Sequence, residues 1–241
     1  MKLSVIIPAF NEERLIGETL RCITEGLEVV KQRGWETELI VCDNNSTDRT
    51  AELARAAGAI VAFEPVNQIA RARNSGAAAA TGDWLLFVDA DSHPSRELFG
   101  EVIEQIASGK CLAGGCVVKL QGDYPMASRI TGLWNCISRT CRWLAGSFIF
   151  CEAAAFREIG GFSNELFAAE EIDLSKRLKR LAKKRGKQIV ILYRNPLITS
   201  ARKLHLYTLR EHLGFMTRAV LMPGRTLRTR EQCFTWYDGR R

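Results

Sequence analysis

Residues 3–91 alternate short apolar runs with stretches of helical periodicity, and this alternation constrains the fold more than any other feature. The apolar runs predict strands, and the stretches between them predict helices with apolar residues three and four positions apart. The predicted strands are Leu3–Pro8, Glu38–Cys42, Ala59–Phe63 and Trp84–Val88, and the predicted helices are Asn11–Val30, 49–57 and Ile69–Ala80. Strands and helices that alternate at this interval predict a parallel sheet with helices on both faces.

The pattern is less regular after residue 91. It predicts helices at Arg96–Ala107 and Ala168–Lys184 and strands at Cys111–Leu120 and Gln188–Tyr193. We expect one domain over residues 1–200, with a first half at about 1–92 and a second half at about 93–200. Residues 201–241 form a basic extension that we expect to be partly helical.

Two acidic residues follow the fourth predicted strand directly. Asp89 and Asp91 lie one residue apart, after a run of five apolar residues. Ligands of open α/β sheets bind beyond the carboxyl ends of the strands. Two neighbouring carboxylates repel each other unless a cation joins them, and Mg²⁺ and Mn²⁺ prefer such oxygen ligands. The spacing therefore predicts a divalent-cation site, and a solvated turn is the alternative because acids are common in turns.

Composition and cysteine spacing predict the compartment. The eight cysteines are scattered without C-x-x-C pairs, which argues against a zinc site and a disulfide scaffold. A strand begins at Leu3, so we expect no signal peptide. No apolar run approaches the roughly 20 residues that span a bilayer. The sequence predicts a reduced, cytoplasmic protein.

Charge is distributed unevenly along the chain. The net charge of +7 combines a balance of −8 over residues 1–173 with a balance of +15 over residues 174–241. A basic C-terminal third predicts an anionic partner, which could be substrate phosphates, a membrane surface or nucleic acid. A solvated face that serves solubility is the alternative. Nucleic acid is disfavoured because the tail has no recognisable reader motif and its aromatic residues do not form a stacking platform.

Residues 128–144 form a predicted amphipathic helix. Its apolar face consists of Ile130, Leu133, Trp134, Ile137, Cys141 and Leu144. Three arginines, Arg129, Arg139 and Arg142, lie among the other positions. We favour ordinary core packing for the apolar face, although a basic amphipathic helix with tryptophan also suits a lipid headgroup layer.

Several short motifs in a fixed order relate the chain to a known family. The motifs are Ser4–Glu12 (SVIIPAFNE), Val41–Asp48 (VCDNNSTD), Ala72–Gly76 (ARNSG), Ala80–Asp83 (ATGD), Phe87–Asp91 (FVDAD), Gly160–Phe162 (GGF) and Glu170–Leu174 (EEIDL) with Arg177. In this order the chain resembles family 2 glycosyltransferases of the GT-A fold, over roughly residues 3–200. The resemblance implies a Rossmann-like, mostly parallel sheet flanked by helices, followed here by the basic extension.

The resemblance also implies a nucleotide pocket. Pro8, Phe10 and Glu12 would line it. Asp43 would accept a hydrogen bond from the base. Arg73 would reach the nucleotide or its phosphates, and its alternative is a surface helix residue.

A metal and diphosphate site is implied beside that pocket. Asp89 would hold the ribose or a metal-bound water, and Asp91 would ligate Mn²⁺ or Mg²⁺. Residues 199–205 resemble a segment that closes the active site in some small relatives. Arg202 would then grip the diphosphate and His205 would be a third metal ligand, although a single histidine is more often a surface residue.

An acidic pair, Glu170 and Glu171, opens a predicted helix. Acids at this position complement the helix dipole, which is the structural explanation for them. The resemblance implies instead that they are catalytic and that Glu171 is the general base, where many relatives have aspartate.

These residues together predict an enzyme, a metal-dependent inverting glycosyltransferase. It would move one sugar from a nucleotide-diphosphate donor, for which we expect UDP rather than GDP, to an unknown hydroxyl acceptor. Single-sugar transfer is expected because the Gln-x-x-Arg-Trp signature of processive synthases is absent. A lipid-linked or cell-envelope acceptor and a peripheral position on the inner face of the membrane would explain the basic C-terminal third. The alternatives are a nucleotidyltransferase, which the lack of a Gly-rich basic loop disfavours, and a non-catalytic protein of the same fold that binds nucleotide sugars, nucleic acid or another anion.

Overall fold

An eight-stranded sheet forms the centre of the computed structural model, which describes residues 1–202, 226–233 and 237. The strands are β1 (Lys2–Ala9), β2 (Glu36–Asp43), β3 (Ile60–Phe63), β4 (Trp84–Val88), β5 (Ser92–His93), β6 (Cys111–Leu120), β7 (Phe148–Glu152) and β8 (Gln188–Thr199). Their order across the sheet is β3-β2-β1-β4-β7-β6-β8-β5. Strands β3, β2, β1 and β4 are parallel, β6 and β8 also pair in parallel, and β7 is antiparallel to both of its neighbours.

Helices cover both faces of this sheet. They are α1 (Ile16–Gln32), α2 (Thr50–Ala56), α3 (Ile69–Ala79), α4 (Arg96–Ala107), α5 (Pro125–Cys141), α6 (Ala153–Glu158) and α7 (Glu170–Lys184), and a short 3₁₀ helix spans Arg230–Cys233. One core lies between the sheet and helices α1 and α4, and a second lies between the sheet and helices α3, α6 and α7. Because side chains alternate along a strand, Leu86 and Val88 of β4 enter the first core while Leu85 and Phe87 enter the second.

Helix α3 lies unusually close to the sheet, and a glycine permits this. A Cβ atom at Gly76 would lie 2.5 Å from the Cγ2 atom of Ile6 on β1. Arg73 lies in the same helix, one turn before Gly76, and its side chain reaches Asp89 just after β4.

The predicted α/β class is confirmed, and the backbone explains why three of the predicted boundaries are wrong. Helix α1 begins at Ile16 rather than Asn11, because Asn11 adopts a left-handed backbone (φ 52°) that no helix continues through. Helix α7 begins at Glu170 because Ala169 has a φ of 60°. Strand β8 extends beyond Tyr193 to Thr199, since its second part pairs with β5 and with the end of β6 after a register shift.

The prediction that the apolar face of residues 128–144 packs into the core is wrong for its first part only. Leu144 is buried in the second core, and Trp134, Ile137 and Cys141 are half-buried. Ile130 and Leu133 are instead 61% and 63% exposed, and Met126, which lies outside the predicted face, is 70% exposed. Ser138 is the one fully buried residue of α5 itself. Among the described residues, no helix is long and apolar enough to cross a membrane.

Candidate active site

A cleft opens at the carboxyl ends of β1, β2 and β4 and encloses about 590 Å³ of solvent-open space. It brings together most of the residues predicted for nucleotide and metal binding. Of those residues, Pro8, Phe10, Glu12, Asp89, Asp91 and Arg202 line the cleft. They come from the ends of β1 and β4 and from the segment after β8. Parallel strands end at one edge of a sheet, so these distant segments meet there.

Asp43 and His205 differ from that group. The Asp43 side chain is buried, and its Oδ1 atom accepts a hydrogen bond from the backbone N–H of Ser46 at 3.0 Å. It therefore shapes the turn after β2, and its predicted contact with a base stays a prediction. His205 lies outside the described residues, so its predicted metal ligation also stays a prediction.

Arg73 lies beneath the cleft rather than on its wall. Its side chain is 2% exposed. Nη1 donates to Oε1 of Glu170 at 2.6 Å, and Nη2 donates to Oδ1 of Asp89 at 2.9 Å and to the carbonyl oxygen of Gly146 at 2.8 Å. The guanidinium also stacks over the Phe162 ring, 5.1 Å from its centroid. Arg73 thus joins the predicted metal carboxylate to the predicted catalytic pair.

Glu170 and Glu171 occupy different environments in the first turn of α7. Glu170 is buried and forms an ion pair with Arg73. Glu171 is half-buried and lies beside Gly146, where an added Cβ atom would meet its Cδ atom at 3.5 Å. Burial, and then the neighbouring Glu170 carboxylate, raise the pKa of Glu171 from 4.5 to about 8. A carboxylate with such a pKa can accept a proton near neutral pH.

Arg202 and Glu12 form a bidentate ion pair across the cleft. Nη1 and Nη2 of Arg202 donate to the two carboxylate oxygens of Glu12 at 2.9 and 2.7 Å. The pair ties the segment after β8 to the loop between β1 and α1. It also keeps a guanidinium, the group that best matches phosphate geometry, at the mouth of the cleft.

The cleft includes residues that sequence reasoning missed. Asn44 holds the loop after β3, because its side chain donates to the carbonyl oxygens of Glu64 and Val66 and accepts from the backbone N–H of Gln68. Its position directly after β2 is the same signal that selected Asp43, so it could have been found. Tyr237 could not, because it reaches the cleft from the C-terminal segment.

Tyr237 joins the cleft wall to the loop that precedes α7. Its hydroxyl accepts a hydrogen bond from the backbone N–H of Ile69 at 3.2 Å. Its ring packs edge-on against Phe167, with centroids 5.5 Å apart. Leu227 supports the same contact, since its carbonyl oxygen accepts from the backbone N–H of Phe167 at 2.7 Å.

The donor set suits a hard divalent cation. Asp89 and Asp91 place two carboxylates in the cleft, although the described residues contain no group of three or more potential metal-binding side chains. Two carboxylates fit Mg²⁺ or Mn²⁺, which commonly take their other ligands from water and substrate phosphates. Asp89 shares an oxygen with Arg73, so its orientation is already set.

Comparison with known proteins identifies the family. Residues 4–160 match the family model described as Glycosyl transferase family 2, and this match spans more than half of the chain. The chain belongs to glycosyl transferase family 2. Within this family it is 32% identical over 123 residues to the dolichol-phosphate mannosyltransferase of Pyrococcus furiosus, an alignment that covers 48% of this chain and 33% of that protein. The chain spans a third or less of the length of the first curated relatives it matches.

Solved structures of two sugar-transfer enzymes show a similar fold. The Pyrobaculum calidifontis mannosyltransferase PcManGT, in complex with GDP-Man and Mn²⁺, superposes with a TM-score of 0.65 at 20% identity, covering 90% of this chain and 60% of that one. The Mycobacterium tuberculosis glucosyl-3-phosphoglycerate synthase, in complex with Mn²⁺, UDP and glucosyl-3-phosphoglycerate, gives 0.63 at 21% identity, with 91% and 77% covered. At this identity the likeness establishes the GT-A fold.

Proposed function

We propose that this family 2 protein is a metal-dependent inverting glycosyltransferase that moves one sugar from a nucleotide-diphosphate donor to a hydroxyl acceptor. One observation carries the proposal. Arg73 joins Asp89, next to the cleft, to Glu170, next to a carboxylate whose pKa is about 8. A site for a cation and a proton acceptor is thereby assembled from opposite halves of the chain, as sugar transfer requires.

The cleft residues have separate roles in this proposal. Pro8 and Phe10 line the nucleotide pocket, and Asp43 holds the turn beside it. Asp91 and Asp89 would hold Mn²⁺ or Mg²⁺, which when bound stabilises the negative charge that develops on the diphosphate. Arg202 exchanges Glu12 for the diphosphate, since phosphate oxygens match its two donors as well as a carboxylate does.

Glu171 is the general base in this scheme. It takes the proton of the acceptor hydroxyl while that oxygen attacks the anomeric carbon from the face opposite the diphosphate. The C–O bond to the diphosphate breaks as the new glycosidic bond forms, so a single displacement inverts the anomeric centre. Arg73 is a positioning residue: it fixes the side chains of Glu170 and Asp89, and its positive charge partly opposes the rise in the pKa of Glu171.

The donor base and the acceptor stay predictions. Structural relatives include complexes with UDP and Mn²⁺ and with GDP-Man and Mn²⁺, and we retain a UDP-sugar as the expected donor. The dolichol-phosphate mannosyltransferase among the relatives supports a lipid-linked acceptor as one candidate. A cytoplasmic protein at the inner face of the membrane is consistent with that acceptor and with the basic C-terminal third.

The alternative is a non-catalytic protein that binds nucleotide sugars. It would need the same cleft but no proton acceptor. The raised pKa of Glu171 favours the enzyme, because a buried acid lowers stability at neutral pH and acids of this kind cluster at catalytic sites.

Nucleotide release tests the proposal. The purified protein is incubated with UDP- and GDP-sugars and Mn²⁺, and released nucleotide diphosphate is measured. Asp91→Asn should abolish metal-dependent release, whereas the matched Asp123→Asn variant, in the exposed loop before α5, should leave it unchanged. If a donor binds in the presence of Mn²⁺ but no nucleotide is released at any pH with any acceptor, the protein is a non-catalytic nucleotide-sugar-binding protein. If neither UDP- nor GDP-sugars bind, the transferase hypothesis and the binding-protein hypothesis are both wrong.

A further inference from the structure

Helix α5 presents apolar residues to solvent, whereas an ordinary surface helix presents them to the core. Its outward stripe consists of Met126, Ile130 and Leu133, each at least 61% exposed. These residues are spaced four and three positions apart, so they lie on one side of the helix. A surface helix normally turns such a stripe toward the core.

Polar side chains attach the opposite side of α5 to the protein. Asn135 pairs with β6 through two hydrogen bonds: its Oδ1 accepts from the backbone N–H of Val118 at 3.1 Å, and its Nδ2 donates to the Val118 carbonyl oxygen at 2.8 Å. Ser138, the buried residue of the helix, donates to the carbonyl oxygen of Trp143 at 2.6 Å. Because these bonds fix the rotation of α5, the apolar stripe faces outward as part of the fold.

The charged residues along α5 are all basic. Residues 125–142 contain Arg129, Arg139 and Arg142 and no acidic residue. Arg139 lies over the ring of Tyr193, 4.5 Å from its centroid, and Tyr193 is 55% exposed. With about 3.6 residues per turn, Arg129 flanks the stripe, whereas Arg139 and Tyr193 lie on the side of Asn135. An exposed apolar stripe on a helix whose charged residues are all basic is typical of helices that lie in a lipid headgroup layer.

We propose that α5 is a membrane-docking helix whose outward stripe enters the headgroup region of an anionic bilayer. A second copy of the chain fits less well, because a two-fold contact would place this positive patch against itself. The basic C-terminal third carries the same sign of charge as α5, so the arginines of α5 would repel that segment as well. Anionic lipid attracts both the patch and the tail.

The docked helix would place the active site near the bilayer. Four residues separate Cys141, the end of α5, from Gly146, whose carbonyl oxygen accepts from Arg73. The next carbonyl oxygen, of Ser147, accepts from the backbone N–H of Asp89 at 3.2 Å. A lipid-linked acceptor could therefore reach the site from the same surface that α5 contacts.

Vesicle flotation of the full chain tests the docking without any sugar donor, so it is independent of the proposed transferase activity. The vesicles contain phosphatidylcholine alone, or phosphatidylcholine with phosphatidylglycerol at about three to one. The test variant is Ile130→Ser/Leu133→Ser, and the matched control is Ile60→Ser/Phe63→Ser, in which residues of β3 that are 52% and 60% exposed are changed instead. Circular dichroism melts check that both variants are folded.

We expect the wild-type chain to float with phosphatidylglycerol vesicles at low salt. The α5 variant should lower the partition constant on the order of tenfold, and the β3 control should leave it within about twofold. Arg129→Gln/Arg139→Gln should weaken binding to anionic vesicles by a similar factor and reduce its salt dependence.

Three results would overturn the proposal. The first is failure of the wild-type chain to float even at low salt. The second is flotation of the α5 variant equal to that of the wild type, which would mean that the basic tail alone binds lipid. The third is a wild-type dimer in sedimentation velocity that the α5 variant dissociates while neither protein floats, which would mean that the stripe contacts a second copy.

Discussion

The pKa of Glu171 predicts how the activity depends on pH. A general base works only when it is ionised, and burial together with the Glu170 carboxylate raises the pKa of Glu171 to about 8. The ionised fraction is then about one tenth at pH 7 and about nine tenths at pH 9. We therefore expect kcat/KM for nucleotide release to rise about tenfold between these two pH values, with an apparent pKa that belongs to the coupled pair.

Two variants connect this profile to the acidic pair. Glu170→Gln removes the neighbouring negative charge, so the rise should move to lower pH. Glu171→Gln should abolish the rise and lower kcat by about two to four orders of magnitude. Glu165→Gln is the matched control, because that side chain is 71% exposed in the loop before α7, and its profile should equal that of the wild type.

Ionisation of Glu171 should also change the free energy of unfolding: a higher pH favours activity but lowers stability. An acid whose pKa is raised in the folded state binds more protons there than in the unfolded chain, so it lowers stability as the pH rises from 4.5 to about 8. The wild type should therefore lose stability relative to Glu171→Gln as the pH rises. The difference between their melting temperatures should shift by at least a few degrees in favour of the variant between pH 5 and pH 9. A flat activity profile above pH 6, together with a pH-independent difference in melting temperature, would refute the assignment of Glu171 as a buried base.

Three further variants test the packing and the cleft. Arg73→Met leaves Glu170 buried without its partner, so urea unfolding should show a loss of about 3–5 kcal/mol, and a loss below about 1 kcal/mol would contradict the ion-pair role. Arg202→Gln removes the proposed diphosphate contact, so the KM for the donor should rise about tenfold or more in steady-state assays, whereas an unchanged KM would exclude that contact. Gly26→Ala forces a Cβ atom into the Phe99 ring where α1 packs on α4, and calorimetry should show a loss of about 1–3 kcal/mol, which an unchanged melting curve would rule out.

Local patterns in the sequence were sufficient for the order of the elements. Strand β4 and helix α4 have the predicted bounds, Trp84–Val88 and Arg96–Ala107, because an apolar run of five and a regular helical stripe are each encoded within one segment. The ends of α1 and β8 were predicted wrongly because they depend on distant partners. The N–H of Glu12 bonds to Thr50, and the second part of β8 pairs with β5.

The candidate site divides in the same way. Asp89 and Asp91 could be selected from the sequence, since a strand that ends in two acids is a local signal. The role of Arg73 could not, because its partner Glu170 lies 97 residues away and nothing in the motif ARNSG indicates that the guanidinium turns inward.

The sequence by itself determined the α/β alternation, the position of the acids at strand ends and an apolar face on α5 that includes Ile130 and Leu133. Each of these features is encoded in the spacing of neighbouring residues. Tertiary structure alone decided which charges meet and which way a stripe faces. Arg73 became a buried link between two carboxylates because α3 packs closely on β1 through Gly76. The stripe of α5 faces outward because Asn135 bonds to β6 on the other side. Periodicity specifies that a helix has two sides, but only the contacts of the folded chain determine which side is buried.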